Sequence, residues 1–270
     1  MKFDMSAAWR DATTMISANR EVLLIVAGIF FFLPSVILGF AVGDLQEMML
    51  ADPENVQQAM LSIYTEWGWL FALVMVASMV GYLALLALLR DSSRPTVGEA
   101  MKTGLVGLLP AIGTYLVLTV GLSVAVGVVL AAAAVSGVAA LAALALLVAM
   151  AFVVYVFVKV SLSGPVIALE KVFNPFGVLA RSWRLTSGNS FRLFLFYLLL
   201  IVAYVVISVV VAMVTGALVL AIGQSAAVTV SAILNGLISS AATVVFVAVL
   251  AAVHRQLAGP SAEAVGATFE

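Results

Sequence analysis

Long runs without a charged residue constrain this chain more than any other feature of its sequence. Residues 22–43 and 67–89 each form one such run, and the runs 103–158 and 193–253 are more than twice as long. A helix that crosses the ~30 Å hydrocarbon core of a bilayer needs about 20 apolar residues. The two shorter runs therefore predict one membrane span each, and the two longer runs predict two spans each.

The composition agrees with this interpretation. Hydrophobic residues make up 65% of the chain and charged residues 9%, and the mean hydropathy is +1.25. Soluble domains are about half apolar and about a quarter charged. The sequence therefore predicts an all-α, polytopic membrane helix bundle with six transmembrane helices.

We expect the six spans to form a single domain over residues 1–256, followed by a short cytoplasmic tail over residues 257–270. Small and polar residues divide the two long runs, one near Ser136 and Gly137 and the other near Gly223 and Gln224. The predicted spans are about 22–43, 67–89, 105–131, 138–158, 193–220 and 226–253.

The basic residues predict the orientation of the spans. In this arrangement all 12 Lys and Arg residues fall on one side of the membrane, and the first loop on the other side carries acids and no base. Cytoplasmic loops are enriched in Lys and Arg. Trp9 and Trp183 fall near the basic side, and Trp67 and Trp69 near the other, as is typical of interfacial tryptophans. We therefore expect a bacterial inner (plasma) membrane protein with both termini in the cytoplasm.

Three segments on the basic side predict short interfacial helices before spans one, three and five. In the first, apolar residues at positions 5, 9, 12 and 16 have a spacing that suits a helix in the headgroup plane. In the second, Thr96 and Glu99 have the spacing of a capping box. In the third, Asn174 can cap a helix that starts at Pro175 and ends at Gly188.

The third segment concentrates charge that is otherwise rare in this chain. The stretch "RSWRLTSGNSFRLF" holds four candidates for contact with lipid headgroups, namely Arg181, Trp183, Arg184 and Arg192. Each cation near an anionic leaflet contributes about 1 kcal/mol. The pattern favours a charged collar that only fixes the orientation, and a specific lipid or phosphodiester site is the alternative.

Polar side chains repeat along the predicted sixth span. Four of them recur every four residues and form one stripe: Ser231, Asn235, Ser239 and Thr243. Beside this polar stripe runs a row of small residues that allows another helix to approach closely: Ala232, Gly236 and Ser240. The polar stripe fits either the lining of a cavity, with Asn235 at mid-membrane, or hydrogen bonds that hold helices together.

The residue types argue against an enzyme, a metal site and nucleic-acid binding. The chain has no cysteine and one histidine, His254, and its net charge is −1. No charged residue lies inside a predicted span, and Lys159, the nearest, can reach the headgroups from the inner end of span four. We therefore expect no catalytic residues, no metal, no cofactor and no nucleic-acid partner.

The stretch "ARSWRLTSGNSFRLF" resembles the signature of a membrane domain that is attached to some bacterial glycerophosphodiester phosphodiesterases and also occurs as stand-alone six-span proteins. The matching positions are Ser182, Trp183, Leu185, Thr186, Gly188 and Asn189. The segments "VGEAMKTGLVGLLPAIGTYL", "ALEKVFNPFGVLARSW" and "HRQLAGP" are similar to other parts of that family. The resemblance implies the membrane part without the soluble catalytic barrel, because "HRQ" at His254 departs from the barrel's histidine–arginine–glycine signature.

Two functional hypotheses follow from these patterns. The first is a non-enzymatic integral membrane protein with an envelope or lipid-associated scaffold role, whose basic side binds anionic membrane lipids or membrane-protein partners. The alternative is a transporter or channel for a small or lipidic solute, lined by the polar stripe of span six. An intramembrane enzyme is disfavoured because the sequence offers no nucleophile–base pair and no set of metal ligands.

Overall fold

The computed structural model describes residues 2–40, 56–89, 96–222 and 224–259 of the chain. Several sequence predictions fall outside these residues. They concern the acidic loop after span one, the basic loop with Arg90 and Arg94, the break at Gly223 and the tail beyond residue 259.

Nine helices make up the regular structure of the described residues. They are α1 (Met5–Ala18), α2 (Arg20–Phe40), α3 (Val56–Leu88), α4 (Val97–Val135), α5 (Ala139–Val160), α6 (Ser163–Glu170), α7 (Pro175–Thr186), α8 (Ser190–Ile222) and α9 (Gln224–Ala258). Within the described ranges, six helical stretches are long and apolar enough to cross a membrane: α2, α3, α4, α5 with α6, α8 and α9. The predicted fold class, a six-span all-α bundle, is confirmed.

Local signals set helix ends where the sequence predicts them. The Thr96 side chain accepts a hydrogen bond from the Glu99 amide at 3.3 Å, and the Thr96 amide donates to the Glu99 carboxylate at 2.9 Å. Gly137, with a φ of +65°, separates α4 from α5. One prediction is wrong: the described segment that begins at Thr96 is the start of span three itself and not a separate interfacial helix, because the helix runs unbroken from its cap at Thr96 to Ser136.

Helix α1 packs against α9 through its small residues. Ala8 and Ala12 are 0% and 1% exposed, and Met15 is 8% exposed. Trp9 remains 43% exposed. The prediction that positions 5, 9, 12 and 16 share one membrane-facing surface is therefore wrong for Ala12, because small side chains at positions 8 and 12 let the two helices approach closely.

The most deeply buried residues lie at one end of the bundle. Residues 83–89, at the end of α3, and 247–253 of α9 are each exposed by 6% or less. The short helices α1, α6 and α7 gather at this end, as do the described Lys and Arg residues. We call it the basic end. Elsewhere the spans expose large apolar side chains, such as Leu199 at 65%, as suits surfaces that face lipid.

Candidate lipid-contact site

Arg181, a predicted headgroup contact, is bound to a carboxylate of the protein itself. Its Nε and Nη2 atoms donate to the two oxygens of Glu170 at 2.8 and 3.1 Å. The same carboxylate lies 2.9 Å from Nε2 of His254, which is 6% exposed. Hydrogen bonding to Glu170 raises the pKa of Arg181, so this guanidinium keeps its charge. The three residues form one cluster that ties α6, α7 and α9 together.

Arg192 also has a partner within the fold. Its Nη1 donates to the Phe3 carbonyl at 3.3 Å, and the Phe3 amide donates to Oδ1 of Asn189 at 2.9 Å. The Phe3 ring is 3% exposed and packs 5.6 Å from the ring of Phe196. Arg192 and Asn189 therefore hold the beginning of the chain against the start of α8.

Lys159 is enclosed by aromatic rings instead of extending to the membrane surface. Its ammonium lies 5.3 Å from the ring centre of Trp183 and 5.5 Å from that of Tyr155, and it donates to Ser187 Oγ at 3.2 Å. The residue is 5% exposed. A cation over aromatic faces gains electrostatic stabilisation. Lys159 thus anchors the end of α5 to α7.

The residues that carry the family resemblance build the junction between α5, α6 and α7. Ser182 Oγ donates to the Lys159 carbonyl at 2.9 Å and accepts from the Leu162 amide at 3.2 Å. Thr186 Oγ1 donates to the same carbonyl at 3.2 Å. These bonds satisfy backbone groups left open where α5 ends. Gly188, with a φ of +81°, then allows the turn into α8.

The segment from Lys171 to Arg184, at the basic end, combines exposed aromatic rings with exposed cations. Phe176, Phe173 and Trp183 are 69%, 46% and 39% exposed. Lys171 and Arg184 are exposed beside them in the chain, and among the described residues Arg184 makes only a long bond of 3.4 Å to a carbonyl of its own helix. We call these five residues the aromatic–cation face.

Three members of this face are absent from the sequence candidates, namely Lys171, Phe173 and Phe176. The signal that finds them is the presence of both aromatic and basic residues in "KVFNPFGVLARSW". Basic residues together with Trp and Phe are typical of helices that lie at a membrane interface. Of the predicted candidates, Trp183 and Arg184 belong to the exposed surface, whereas Arg181 and Arg192 have partners in the protein.

The polar stripe of α9 bonds mainly to its own helix. Asn235 Nδ2 donates to the Ser231 carbonyl at 2.9 Å, and Thr243 Oγ1 donates to the Ser239 carbonyl at 2.8 Å. Ser239 Oγ donates to the Gly236 carbonyl at 3.2 Å. Asn235 itself is exposed on the bundle surface.

The row of small residues beside the stripe packs against α2. A Cβ placed on Gly236 would lie 2.9 Å from a methyl group of Val36, and the Cβ of Ala232 lies 3.1 Å from the Cβ position of Gly39. Ala232 and Ser240 are 8% and 6% exposed. The predicted close approach of another helix to this row is confirmed.

A cleft of about 600 Å³ opens between α8 and α9. Tyr82 of α3 forms part of its wall, and Trp9 of α1 lines it as well. Ser239 and Thr243 reach the cleft from the polar stripe, and most other lining side chains are apolar. The cleft therefore resembles a hydrocarbon surface more than a passage for polar solutes.

Six apolar helices and an all-helical bundle define the class of this protein, an integral membrane protein of the multi-pass type. Comparison of the chain with protein-family models, with curated proteins and with solved structures finds no match. The resemblance to the phosphodiesterase-associated membrane domain stays a prediction, carried by the sequence motifs alone.

Proposed function

We propose that this protein is a non-enzymatic, lipid-associated protein of a bacterial inner membrane, and that its basic end binds anionic phospholipid headgroups. The aromatic–cation face carries the proposal. It leaves two cations, Lys171 and Arg184, without a carboxylate partner within the described part of the chain. Arg181 and Arg255, in contrast, are paired with Glu170 and Asp11.

The chemistry of the face suits the boundary between headgroups and acyl chains. Exposed rings such as Phe176 and Trp183 gain by leaving water for the interfacial region. Cations at the same depth attract anionic phosphates, and each contributes about 1 kcal/mol. A surface with both features favours anionic lipids over zwitterionic ones.

The orientation belongs to the same proposal. The described Lys and Arg residues gather at the basic end, and the positive-inside rule assigns such an end to the cytoplasm. Both described chain ends, near Phe3 and near His254, lie there as well. In this orientation the aromatic–cation face meets the leaflet that carries the negative surface potential.

We predict that the double variant Lys171→Gln, Arg184→Gln loses most of its preference for anionic lipid. Removing two cations, at about 1 kcal/mol each, lowers the relative affinity roughly 30-fold. The protein is exchanged into nanodiscs with equal amounts of phosphatidylglycerol and phosphatidylcholine, extracted briefly with detergent, and its retained lipids are quantified by mass spectrometry.

The matched control for this variant is Arg181→Gln. Its guanidinium is committed to Glu170, so we expect a less stable protein with an unchanged ratio of retained lipids. Equal ratios in the parent and the double variant would contradict the proposal. A larger loss in Arg181→Gln than in the double variant would do the same.

A transporter is the second candidate, because Ser239 and Thr243 of the polar stripe reach the cleft. Asn235 does not line the cleft, and its amide is bonded to the Ser231 carbonyl. We therefore predict that Asn235→Leu changes the unfolding free energy by less than about 1 kcal/mol and leaves lipid retention unchanged. Unfolding in mixed micelles measures the first quantity. A large loss of stability or of lipid retention would show that Asn235 has a role beyond the proposed lipid association.

A further inference from the structure

We infer that the cleft between α8 and α9 holds one acyl chain of an anionic phospholipid, whose phosphate lies beside Arg10. This inference rests on the proposed lipid association and adds a second, separate contact to it.

The lining selects an apolar occupant. On α8 it includes Leu200, Ala203 and Ile207, and on α9 it includes Ile238 and Val247. The hydroxyls of Ser239 and Thr243, which also reach the cleft, are already bonded to carbonyls of their own helix at 3.2 and 2.8 Å. An acyl chain therefore leaves neither of these hydroxyls unsatisfied, whereas a polar solute would gain few partners.

The length and direction of the cleft suit a lipid chain that enters from the basic end. The α9 lining from Ile238 to Val247 spans ~14 Å at 1.5 Å per residue. It runs along two membrane-spanning helices, parallel to the lipid chains around it. Trp9, on α1, lines the cleft from the basic end, where headgroups lie under the proposed orientation.

Helix α1 is fixed in this position by its contacts with α9. Asp11 and Arg255 form an ion pair at 2.8 Å. The Asp4 amide donates to Oε1 of Gln256 at 3.0 Å. These contacts place Trp9 in the wall of the cleft.

Arg10 supplies the charge that selects an anionic lipid. It follows Trp9 directly in the chain and is exposed. The acid beside it, Asp11, is engaged by Arg255, so the described residues give Arg10 no carboxylate partner. Arg10 does not itself line the cleft, but its long side chain begins one residue from Trp9, and a guanidinium turned toward a phosphate at the mouth of the cleft would bond to it strongly.

The test uses Trp9 as the reporter. In the full chain, Trp67, Trp69 and Trp183 are replaced by Phe, which leaves Trp9 as the one tryptophan. The protein is placed in phosphatidylcholine vesicles, and increasing fractions of dibrominated phosphatidylglycerol or dibrominated phosphatidylcholine are added. Bromine on an acyl chain quenches a nearby indole, so the two titrations give the relative affinity of the lipids at Trp9.

We expect phosphatidylglycerol to bind about fivefold more tightly than phosphatidylcholine at this site, as one cation predicts. Arg10→Gln should bring the ratio close to one while phosphatidylcholine still quenches. Ala203→Phe, which fills the cleft, should also remove the preference. Val206→Phe is its control, because Val206 is 57% exposed on the same helix and does not line the cleft.

The pair Ala241→Phe and Leu237→Phe repeats this comparison on α9, where Ala241 lines the cleft and Leu237 does not. This second pair tests the inference if Ala203→Phe does not fold. An affinity ratio of one between the two lipids in the single-tryptophan protein overturns the inference. Equal behaviour of the cleft variants and their controls also overturns it. The variant Lys171→Gln, Arg184→Gln should leave the Trp9 ratio unchanged. A failure of the aromatic–cation face is therefore distinguishable from a failure of the cleft.

Discussion

Replacing Gly104 by valine should destabilise the bundle by about 3 kcal/mol, because overpacking at a close helix contact costs about that much. A Cβ at this position would lie 2.5 Å from the Val80 carbonyl oxygen and 3.1 Å from a Val80 methyl group. The obstacle is backbone, so it cannot rotate away as a flexible side chain can. Helices α3 and α4 would have to separate along their extensive shared interface. Unfolding in mixed micelles measures the loss.

Gly121→Val is the matched control for this substitution. It lies on the same helix, and a Cβ there meets nothing within 4 Å. We expect its unfolding free energy to stay within about 0.5 kcal/mol of the parent, as for other surface substitutions. Equal losses in both variants would mean that the helix backbone, and not the contact with α3, limits position 104.

Replacing Glu170 by alanine should cost about 2 kcal/mol of stability. It removes both hydrogen bonds to Arg181 and leaves His254, only 6% exposed, without this acceptor. Loss of a partner from a partly buried polar cluster costs more than loss of a surface ion pair. The variant should unfold at a lower detergent or denaturant concentration, and limited proteolysis should cleave first near α7.

Two further variants separate this cluster from the general effect of removing a carboxylate. Glu170→Gln keeps an acceptor oxygen and should lose roughly half as much stability. Glu21→Ala removes an exposed acid at the start of α2 and should change stability little. If Glu170→Ala is as stable as Glu21→Ala, the cluster does not hold α6, α7 and α9 together.

The features that the sequence predicts well are local ones. The capping box at Thr96, the break at Gly137 and the cap of α7 at Asn174 each depend on residues within a few positions of one another. The Asn174 side chain accepts from the Phe176 amide at 3.0 Å, with Pro175 in the first turn. Uncharged runs predict the number of spans, because every helix that crosses a bilayer core needs about 20 apolar residues.

The partners of the arginines could not be predicted in this way. Glu170 and His254 are 84 positions apart, and Arg192 and Phe3 are 189 positions apart. Nothing in the local pattern distinguishes Arg181, which faces Glu170, from Arg184, three residues later and exposed. That distinction depends on how α7 lies against α6 and α9, so only the tertiary structure reveals it.

The same limit applies to the surfaces proposed to contact lipid. Phe173 and Phe176 look like ordinary apolar residues in the sequence, and the fold leaves both of them exposed. The cleft needs α1, α3, α8 and α9 to converge, and Trp9 and Tyr82 line it from distant parts of the chain. The polar stripe was visible in the sequence, but its bonds within α9 were not.

Native mass spectrometry tests the central claim, that the basic end binds an anionic phospholipid, most directly. The protein is released from nanodiscs prepared from the membrane in which it is produced, without prior detergent. We predict bound species with the mass of anionic phospholipid in the parent protein, and fewer bound copies in the variant Lys171→Gln, Arg184→Gln, which keeps the lipid inferred beside Arg10. Adducts that match the bulk lipid composition in both proteins would contradict the account.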